Sequence, residues 1–288
     1  MTSAGTPIHI PLGSHTFDAV DHGPVDGEPV LLLHGFPETS WSWRFVQPGL
    51  ADAGYRSVAP DLRGYSKGAS PSDPAEYRVE TLVGDVVGFA DHLGWDSFHL
   101  VGHDWGGALA WHVAGRHPDR LRTLTVVSTP HPVAFDAAKK AGPSTDGDDQ
   151  AAKSSYIDLF RTPGSEEIIL ADGGDTFRQS LEAIGLDSES AAHYAARFER
   201  PVDLVGPLNW YRGADPTDSE GLGPITTPTL YVWSTDDAAL GRTAAEATAA
   251  QVDGPYRFEV LEGVSHWILE EAPDALLGHL LAHLAGTP

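Results

Sequence analysis

The sequence contains no cysteine among its 288 residues. Disulfides, thiolate metal sites and catalysis by a cysteine nucleophile are therefore excluded, and nothing requires an oxidising compartment. No stretch approaches the roughly 18 consecutive apolar residues of a membrane helix. The first residues, MTSAGTPIHIPLG, have neither the basic nor the apolar part of a signal peptide. We therefore expect a cytoplasmic protein with no membrane partner.

Basic residues are also scarce. Lysine and arginine number 18 against 41 aspartates and glutamates, which gives a formal net charge of −23. Such a surface repels phosphate backbones and anionic lipids, so nucleic acids and membrane surfaces are disfavoured as partners. The hydrophobic fraction of 41% is ordinary for a globular protein with a buried core. The composition leaves open whether the protein forms a homodimer.

Short apolar runs alternate with helical patterns along most of the chain. The runs are near-continuous, as expected of strands that are buried on both faces of a parallel sheet. They lie at residues 29–33, 98–101, 121–127, 229–233 and 256–261. Helical patterns occupy residues 81–93, 106–116 and 273–286. This alternation predicts an α/β fold with a mostly parallel central sheet and helices on both faces.

The alternation fails between residues 131 and 224. That stretch shows helix-like pieces but no strong strand signal, and it contains a polar run at 142–150 that favours a mobile loop. We interpret residues 131–224 as a helical lid inserted between two strands. Residues 1–130 and 225–288 then form the core domain.

The strongest functional signal is the segment GHDWGG at 102–107, where an apolar run turns directly into a helical pattern. It matches the nucleophile elbow G-x-Nu-x-G, with Asp104 in place of the usual serine. The glycines permit a turn too sharp for side chains, and the helix N-terminus stabilises negative charge. The alternative interpretation is that Asp104 is only an N-cap, a position that aspartate favours.

Another loop follows the first apolar run. In this class of fold the segment HGFP at 34–37 supplies one backbone N–H of an oxyanion hole, and the residue after the nucleophile supplies the other. Those donors would belong to Phe36 and Trp105. The alternative is a plain turn, because glycine and proline commonly mark loops.

Two further loops offer the partners of a catalytic carboxylate. Asp236 and Asp237 follow the run at 229–233, and His266 follows the last run. A catalytic histidine needs a carboxylate that fixes its tautomer and stabilises its cation. The chain order of nucleophile, acid and histidine is that of an α/β-hydrolase triad. The spacing alone does not choose between the two aspartates, and in so acidic a chain such a pair is commonly a solvated turn.

These motifs resemble those of the epoxide hydrolase family of α/β-hydrolases. The matching segments are HGFPE at 34–38, DLRGYSKG at 61–68, GHDWGG at 102–107 and the segment around His266. In the insertion, YIDLFRTPG at 156–164 and GPLNWYR at 206–212 resemble the family's two lid-tyrosine segments. Ser234 and Ser265 stand where the family commonly has glycine, and we expect these small side chains to be tolerated.

The resemblance implies a function and a set of roles. Asp104 would attack the epoxide, Tyr156 and Tyr211 would donate to its oxygen, and His266 with Asp237 would activate water. A small-molecule epoxide and water would be the reactants, a vicinal diol the product, and no metal or organic cofactor would be needed. The residues expected to line the substrate pocket are His34, Pro37, Trp210 and Trp267.

Rival functions share parts of this pattern. A haloalkane dehalogenase also uses an aspartate nucleophile, but it commonly holds the departing halide with two side-chain N–H donors. Here Trp105 could be one donor, while Phe36 offers none. An esterase is disfavoured because the elbow has no serine. Some α/β-hydrolase scaffolds only bind ligands or act without hydrolysis, yet no member of the triad is missing from this chain.

Overall fold

A computed structural model of the protein describes residues 5–145, 147–215 and 217–286. Eight strands of this part of the chain form one sheet. They are β1 (Thr6–Leu12), β2 (His15–His22), β3 (Glu28–Leu33), β4 (Tyr55–Pro60), β5 (Phe98–His103), β6 (Leu121–Val127), β7 (Thr229–Ser234) and β8 (Tyr256–Leu261). The spatial order is β1-β2-β4-β3-β5-β6-β7-β8. Only the β1–β2 and β2–β4 pairs are antiparallel, and the remaining pairs are parallel.

The helices lie between and after these strands. In chain order they are α1 (Gln47–Asp52), α2 (Val79–His92), α3 (Trp105–Arg116), α4 (Pro132–Ala141), α5 (Gln150–Lys153), α6 (Tyr156–Arg161), α7 (Ser165–Ile169), α8 (Asp175–Ala183), α9 (Ser188–Ala195), α10 (Pro201–Gly213), α11 (Arg242–Ala247), α12 (Ile268–Glu271) and α13 (Pro273–Ala285). Short 3₁₀ turns occur at Ser40–Phe45, Lys67–Ala69, Pro74–Tyr77, Pro118–Arg120 and Thr248–Gln251.

Strand β3 shows why the sheet is covered on both faces. Its successive side chains point to opposite sides, so Leu31 and Leu33 join one apolar cluster while Val30 and Leu32 join the other. The first cluster also contains buried residues of α2 and α3, and the second contains those of α1, α12 and α13. All four β3 side chains have no exposed surface. The predicted α/β fold, with a mostly parallel sheet between helical layers, is thereby confirmed.

The sequence analysis did not predict three of the strands, which are β1, β2 and β4. The first two form an antiparallel hairpin at the edge of the sheet, where alternate side chains of β2 are partly exposed. Such strands carry mixed polar and apolar residues rather than an apolar run. Strand β4 contains Arg56 and Ser57 before its short apolar end. All five predicted apolar runs lie within strands of the sheet.

The predicted insertion corresponds to the chain between β6 and β7. Helices α4 to α10 lie there, and no strand does within the described residues of 128–224. In the polar run 142–150, residues 142–145 and 147–149 form neither helix nor strand, Gln150 begins α5, and Asp146 lies outside the described residues. Apolar residues of α8, α9 and α10 join the same cluster as α2 and α3. The helical segment therefore packs against the first apolar cluster, and Tyr194 of α9 also donates to Glu270 of α12.

Candidate active site

The turn between β5 and α3 places Asp104 at the carboxyl end of the sheet. Its backbone has φ of 50° and ψ of −119°. A non-glycine residue with positive φ is strained, typically by about 1–3 kcal/mol, and such strain concentrates at functional sites. The turn is tight enough that a Cβ on Gly102 would strike the carbonyl of Gly106. Glycine is therefore required there for steric reasons.

The carboxylate of Asp104 is held by the neighbouring loop and by a histidine. The Phe36 backbone N–H donates to Asp104 Oδ1 at 2.8 Å, while Asp104 Oδ2 lies 3.6 Å from His266 Nε2. The Asp104 carbonyl accepts from Thr129 Oγ1 at 2.7 Å and from the Ala108 N–H within α3 at 2.9 Å. The side chain and backbone of the elbow are thus both fixed in place.

His266 lies between two carboxylates. Its Nδ1 is 2.8 Å from Asp237 Oδ2, and its Nε2 faces Asp104. The other Asp237 oxygen, Oδ1, accepts from the backbone N–H groups of Ala239 and Leu240, each at 2.8 Å. The structure thus brings together Asp104, His266 and Asp237 of the sequence-predicted site.

Electrostatics of this trio favour an ion pair. Burial alone would lower the pKa of His266, but Asp237 and Asp104 together raise it well above its ordinary value. Burial alone would raise the pKa of Asp104, yet the hydrogen bond and charge of His266, with His103 and the Phe36 N–H, hold it below its ordinary value. Asp104 is therefore ionised and His266 protonated in the free protein at neutral pH.

A second buried pair, His103 and Glu38, lies next to this trio and contacts the backbone of His266. His103 Nδ1 lies 2.9 Å from Glu38 Oε2, and His103 Nε2 lies 3.0 Å from the His266 carbonyl. Both nitrogens face acceptors, so both act as donors and the ring is charged. Burial opposes this charge, but Glu38 raises the pKa of His103. Glu38 Oε2 also accepts from the Gly35 N–H at 2.7 Å.

The sequence analysis assigned no role to this pair, although Glu38 ends the HGFPE segment and His103 precedes Asp104. A signal was present, because an ionisable residue beside a buried strand requires a partner. Glu38 and His103 are both fully buried. Together they connect the loop after β3, the elbow and the backbone of His266.

The two predicted lid tyrosines lie close to each other, on α6 and α10. The ring centroids of Tyr156 and Tyr211 are 6.3 Å apart, and Tyr211 packs edge-on to Trp105 at 5.0 Å. Tyr156 is 36% exposed, yet desolvation of its hydroxyl, followed by the charge of Asp104, raises its pKa, while hydrogen bonding with Tyr211 lowers it. Burial also raises the pKa of Tyr211 well above its ordinary value. Both phenols are therefore protonated at neutral pH.

A cavity of about 260 Å³ opens between the elbow and the helical segment. Asp104, Trp105, Tyr156 and Tyr211 line it together with apolar residues such as Phe135. Asp136, Lys139, Arg161, Asp215 and Asp218 also belong to its lining. The cavity thus combines an apolar wall beside Asp104 with a group of charged residues.

The predicted pocket residues lie in different places. Trp210 lines a smaller cavity of about 50 Å³ and donates its Nε1 to the Arg63 carbonyl at 2.7 Å. His34 is fully buried, with Nε2 3.0 Å from the Leu62 N–H and Nδ1 2.8 Å from the Gly35 carbonyl. Neither His34, Pro37 nor Trp267 is among the described residues that line the two cavities. His34 faces the core because backbone groups occupy both of its ring nitrogens.

Candidate metal sites and membrane-spanning helices are both absent from the described residues. Across 5–145, 147–215 and 217–286, no group of three or more His, Asp or Glu side chains is arranged to hold a metal ion. In the same ranges, no helix has both the length and the apolar character needed to cross a membrane.

The sheet, the elbow and the inserted helices are those of an α/β-hydrolase. The family model for the alpha/beta hydrolase fold matches residues 28–273. Epoxide hydrolase A of Mycobacterium tuberculosis is 33% identical, across 90% of this chain and 92% of its own. Epoxide hydrolase 4 of Mus musculus is 34% identical, across 90% of this chain and 73% of its own.

Solved structures agree with these sequence relatives. A novel epoxide hydrolase of the alpha/beta hydrolases superfamily, from metagenomes of hot environments, aligns with a TM-score of 0.85 and 30% identity, covering 99% of this chain and 100% of its own. Epoxide Hydrolase A from Mycobacterium thermoresistibile aligns with a TM-score of 0.81 and 27% identity, covering 99% of each chain. The protein belongs to the epoxide hydrolase family.

Proposed function

We propose that the protein opens an epoxide with the carboxylate of Asp104 and then hydrolyses the resulting ester to a vicinal diol. The observation that carries this proposal is the position of Asp104. Its carboxylate lines a cavity that two protonated tyrosines also line, and it is paired with a histidine that has its own buried carboxylate partner.

Ring opening uses an ionised nucleophile and an acid. Asp104 forms a bond to an epoxide carbon, and the carbon–oxygen bond of the ring breaks. The developing alkoxide takes a proton from the phenol of Tyr211 or Tyr156, both of which line the cavity. The phenol recovers its proton at the expense of the imidazolium of His266, which becomes neutral.

Loss of charge on Asp104 prepares His266 for its second role. The ester carries no negative charge, so one of the two carboxylates that raise the pKa of His266 disappears. The neutral imidazole, oriented by Asp237, can then remove a proton from water. Alkylation of Asp104 thus converts His266 from a cation into a base.

Hydrolysis restores the starting state. Water attacks the carbonyl carbon of the Asp104 ester, and N–H groups of Phe36 and Trp105 stabilise the oxyanion; each such donor typically contributes about 3 kcal/mol. Support comes from the Phe36 N–H, which already lies 2.8 Å from Asp104 Oδ1. When the ester bond breaks, the proton of the new carboxyl group goes to the leaving diol oxygen. Asp104 is again ionised and His266 again protonated.

A single turnover in heavy-oxygen water tests this mechanism. With enzyme in excess over styrene oxide, the first diol should carry oxygen from Asp104, while the label enters the carboxylate. A second turnover on the same enzyme should then give labelled diol. Label in the first diol would exclude the covalent route, and chloroalkanes serve as the control for dehalogenation.

A further inference from the structure

One face of α3 lines the larger cavity beyond the nucleophile. The residues are Trp105, Ala108 and His112, spaced at i, i+3 and i+7 so that they share one side of the helix. With a rise of about 1.5 Å per residue, His112 lies roughly 10 Å further along the helix than Trp105. A substrate anchored at Asp104 and lying along α3 would therefore reach His112 with its remote end.

His112 is a buried side chain whose Nδ1 has no hydrogen-bond partner among the described residues. Only 7% of its surface is exposed. Burial, assisted by the charge of Arg116, lowers the pKa of His112 to about 4, so the ring is neutral at pH 7. A neutral imidazole offers one donor and one acceptor, and a buried polar atom without a partner is unfavourable. Nδ1 itself has almost no accessible surface, so a ligand would meet the ring through the part of His112 that lines the cavity.

Two cavities meet at this residue. His112 lines both the cavity of about 260 Å³ and the smaller one of about 50 Å³. Trp105 and Ala108 also line both cavities, whereas the remaining wall of the smaller one is largely apolar, with Val79 and Leu82 among its residues. Asp218 also lines both cavities, so a small polar group placed here would find His112 and Asp218 as its polar neighbours.

We propose that His112 binds a hydroxyl group at the remote end of the substrate, so that the protein prefers epoxides bearing a hydroxyl roughly 10 Å from the ring. This proposal rests on the proposed function. A hydroxyl both donates and accepts, which matches a neutral imidazole, whereas an ammonium group only donates. A carboxylate would meet charges of both signs in the same cavity wall, Asp136 and Asp218 as well as Lys139 and Arg161, so the wall does not select it.

A series of terminal epoxides of increasing chain length tests the proposal. Each member is prepared with a methyl, a hydroxyl or an ammonium group at the far end. At the chain length that spans from Asp104 to His112, the hydroxyl compound should exceed the methyl compound about tenfold in kcat/KM, the range expected for one hydrogen bond. Shorter members should show no preference.

Two variants distinguish the loss of a hydrogen bond to the substrate from a loss of correctly folded protein. His112→Phe keeps a ring but removes both polar atoms, and should bring the hydroxyl-to-methyl ratio close to one. His112→Gln keeps one donor and one acceptor, and should retain most of the preference. Both substrates are measured on one preparation, so a partly misfolded variant changes each rate but not their ratio.

The outcomes distinguish the two levels of inference. Equal hydroxyl and methyl rates at every length, with active hydrolysis, would overturn the role of His112 and leave the epoxide hydrolase function standing. A preference that survives in His112→Phe would overturn it as well. A preference for the ammonium compounds would assign recognition to the carboxylates instead. Hydrolysis of no epoxide in the series would count against the proposed function itself.

Discussion

Asp237 Oδ2 lies 2.8 Å from His266 Nδ1, whereas the adjacent Asp236 is exposed and accepts from its neighbour Thr235 Oγ1 at 3.1 Å. Two chemically identical neighbours therefore have different surroundings. Asp237 is 1% exposed, and two backbone N–H groups fix its second oxygen.

This difference supplies a matched pair of variants. Asp237→Asn should lower kcat by about 10⁴, because an amide neither stabilises the imidazolium nor fixes the required tautomer. Asp236→Asn should remain within about twofold of the parent, since it alters an exposed side chain. Steady-state hydrolysis of one epoxide by both variants makes the comparison. Equal losses in the two variants would remove Asp237 from the mechanism.

Removal of the base should separate the two chemical steps. His266→Gln leaves Asp104 able to attack but leaves no group to activate water. The variant should accumulate the alkyl ester, so that the protein mass rises by the mass of one epoxide. Intact-protein mass spectrometry after brief mixing measures this. Asp104→Ala combined with His266→Gln is the control, and labelling of that double variant would place the covalent bond elsewhere.

The lid tyrosines should act before the ester accumulates. Tyr211→Phe removes a proton donor and should slow ester formation by about 10², with a smaller loss in Tyr156→Phe because the other phenol remains. Tyr256→Phe is the matched control, since the Tyr256 hydroxyl is buried without a partner among the described residues. Rapid-quench measurement of ester formation distinguishes the three. An unchanged rate in Tyr211→Phe would leave its hydroxyl without a role in ring opening.

Much of the fold could be predicted because its central strands are buried on both faces. Strands β3, β5, β6 and β7 carry such apolar runs, and β6 matches its predicted bounds. Strand β8 also matches its predicted bounds, although it lies at an edge of the sheet and none of its residues is fully buried. The edge hairpin of β1 and β2 exposes one side and has no such run. The apolar-run pattern therefore misses the edge formed by β1 and β2, where polar and apolar residues are mixed, but not the edge formed by β8.

The site shows a similar division. Positions that follow strand ends, such as Asp104 and His266, could be predicted because the topology of a parallel sheet brings those ends together. The direction in which a side chain points could not be predicted in this way. His34 follows a strand equally closely, yet its ring is turned into the core by the Leu62 N–H and the Gly35 carbonyl.

The buried carboxylate of Glu270 should make stability depend on pH. Glu270 Oε1 accepts from Tyr194 and lies 3.3 Å from Arg44 Nη1, while Oε2 has no partner among the described residues. Burial, with the nearby charge of Glu38, raises the pKa of Glu270 to about 7. The folded protein thus holds this proton at pH values where an unfolded chain, with a glutamate pKa of about 4.3, has released it.

The direction of the effect follows from linkage. The contribution of Glu270 to stability is greatest below the unfolded pKa and is lost as pH rises toward about 7, because the unfolded chain ionises this group more readily than the folded protein does. We expect a loss of about 3 kcal/mol between pH 4.5 and pH 8, with little change above. Urea unfolding at stepped pH should show this loss in the parent and in Glu262→Gln, an exposed control. Glu270→Gln has no ionisable group at this position, so its free energy of unfolding should fall by about 3 kcal/mol less than that of the parent over the same pH range. Parallel curves for Glu270→Gln and the parent would mean that Glu270 is ionised throughout the range.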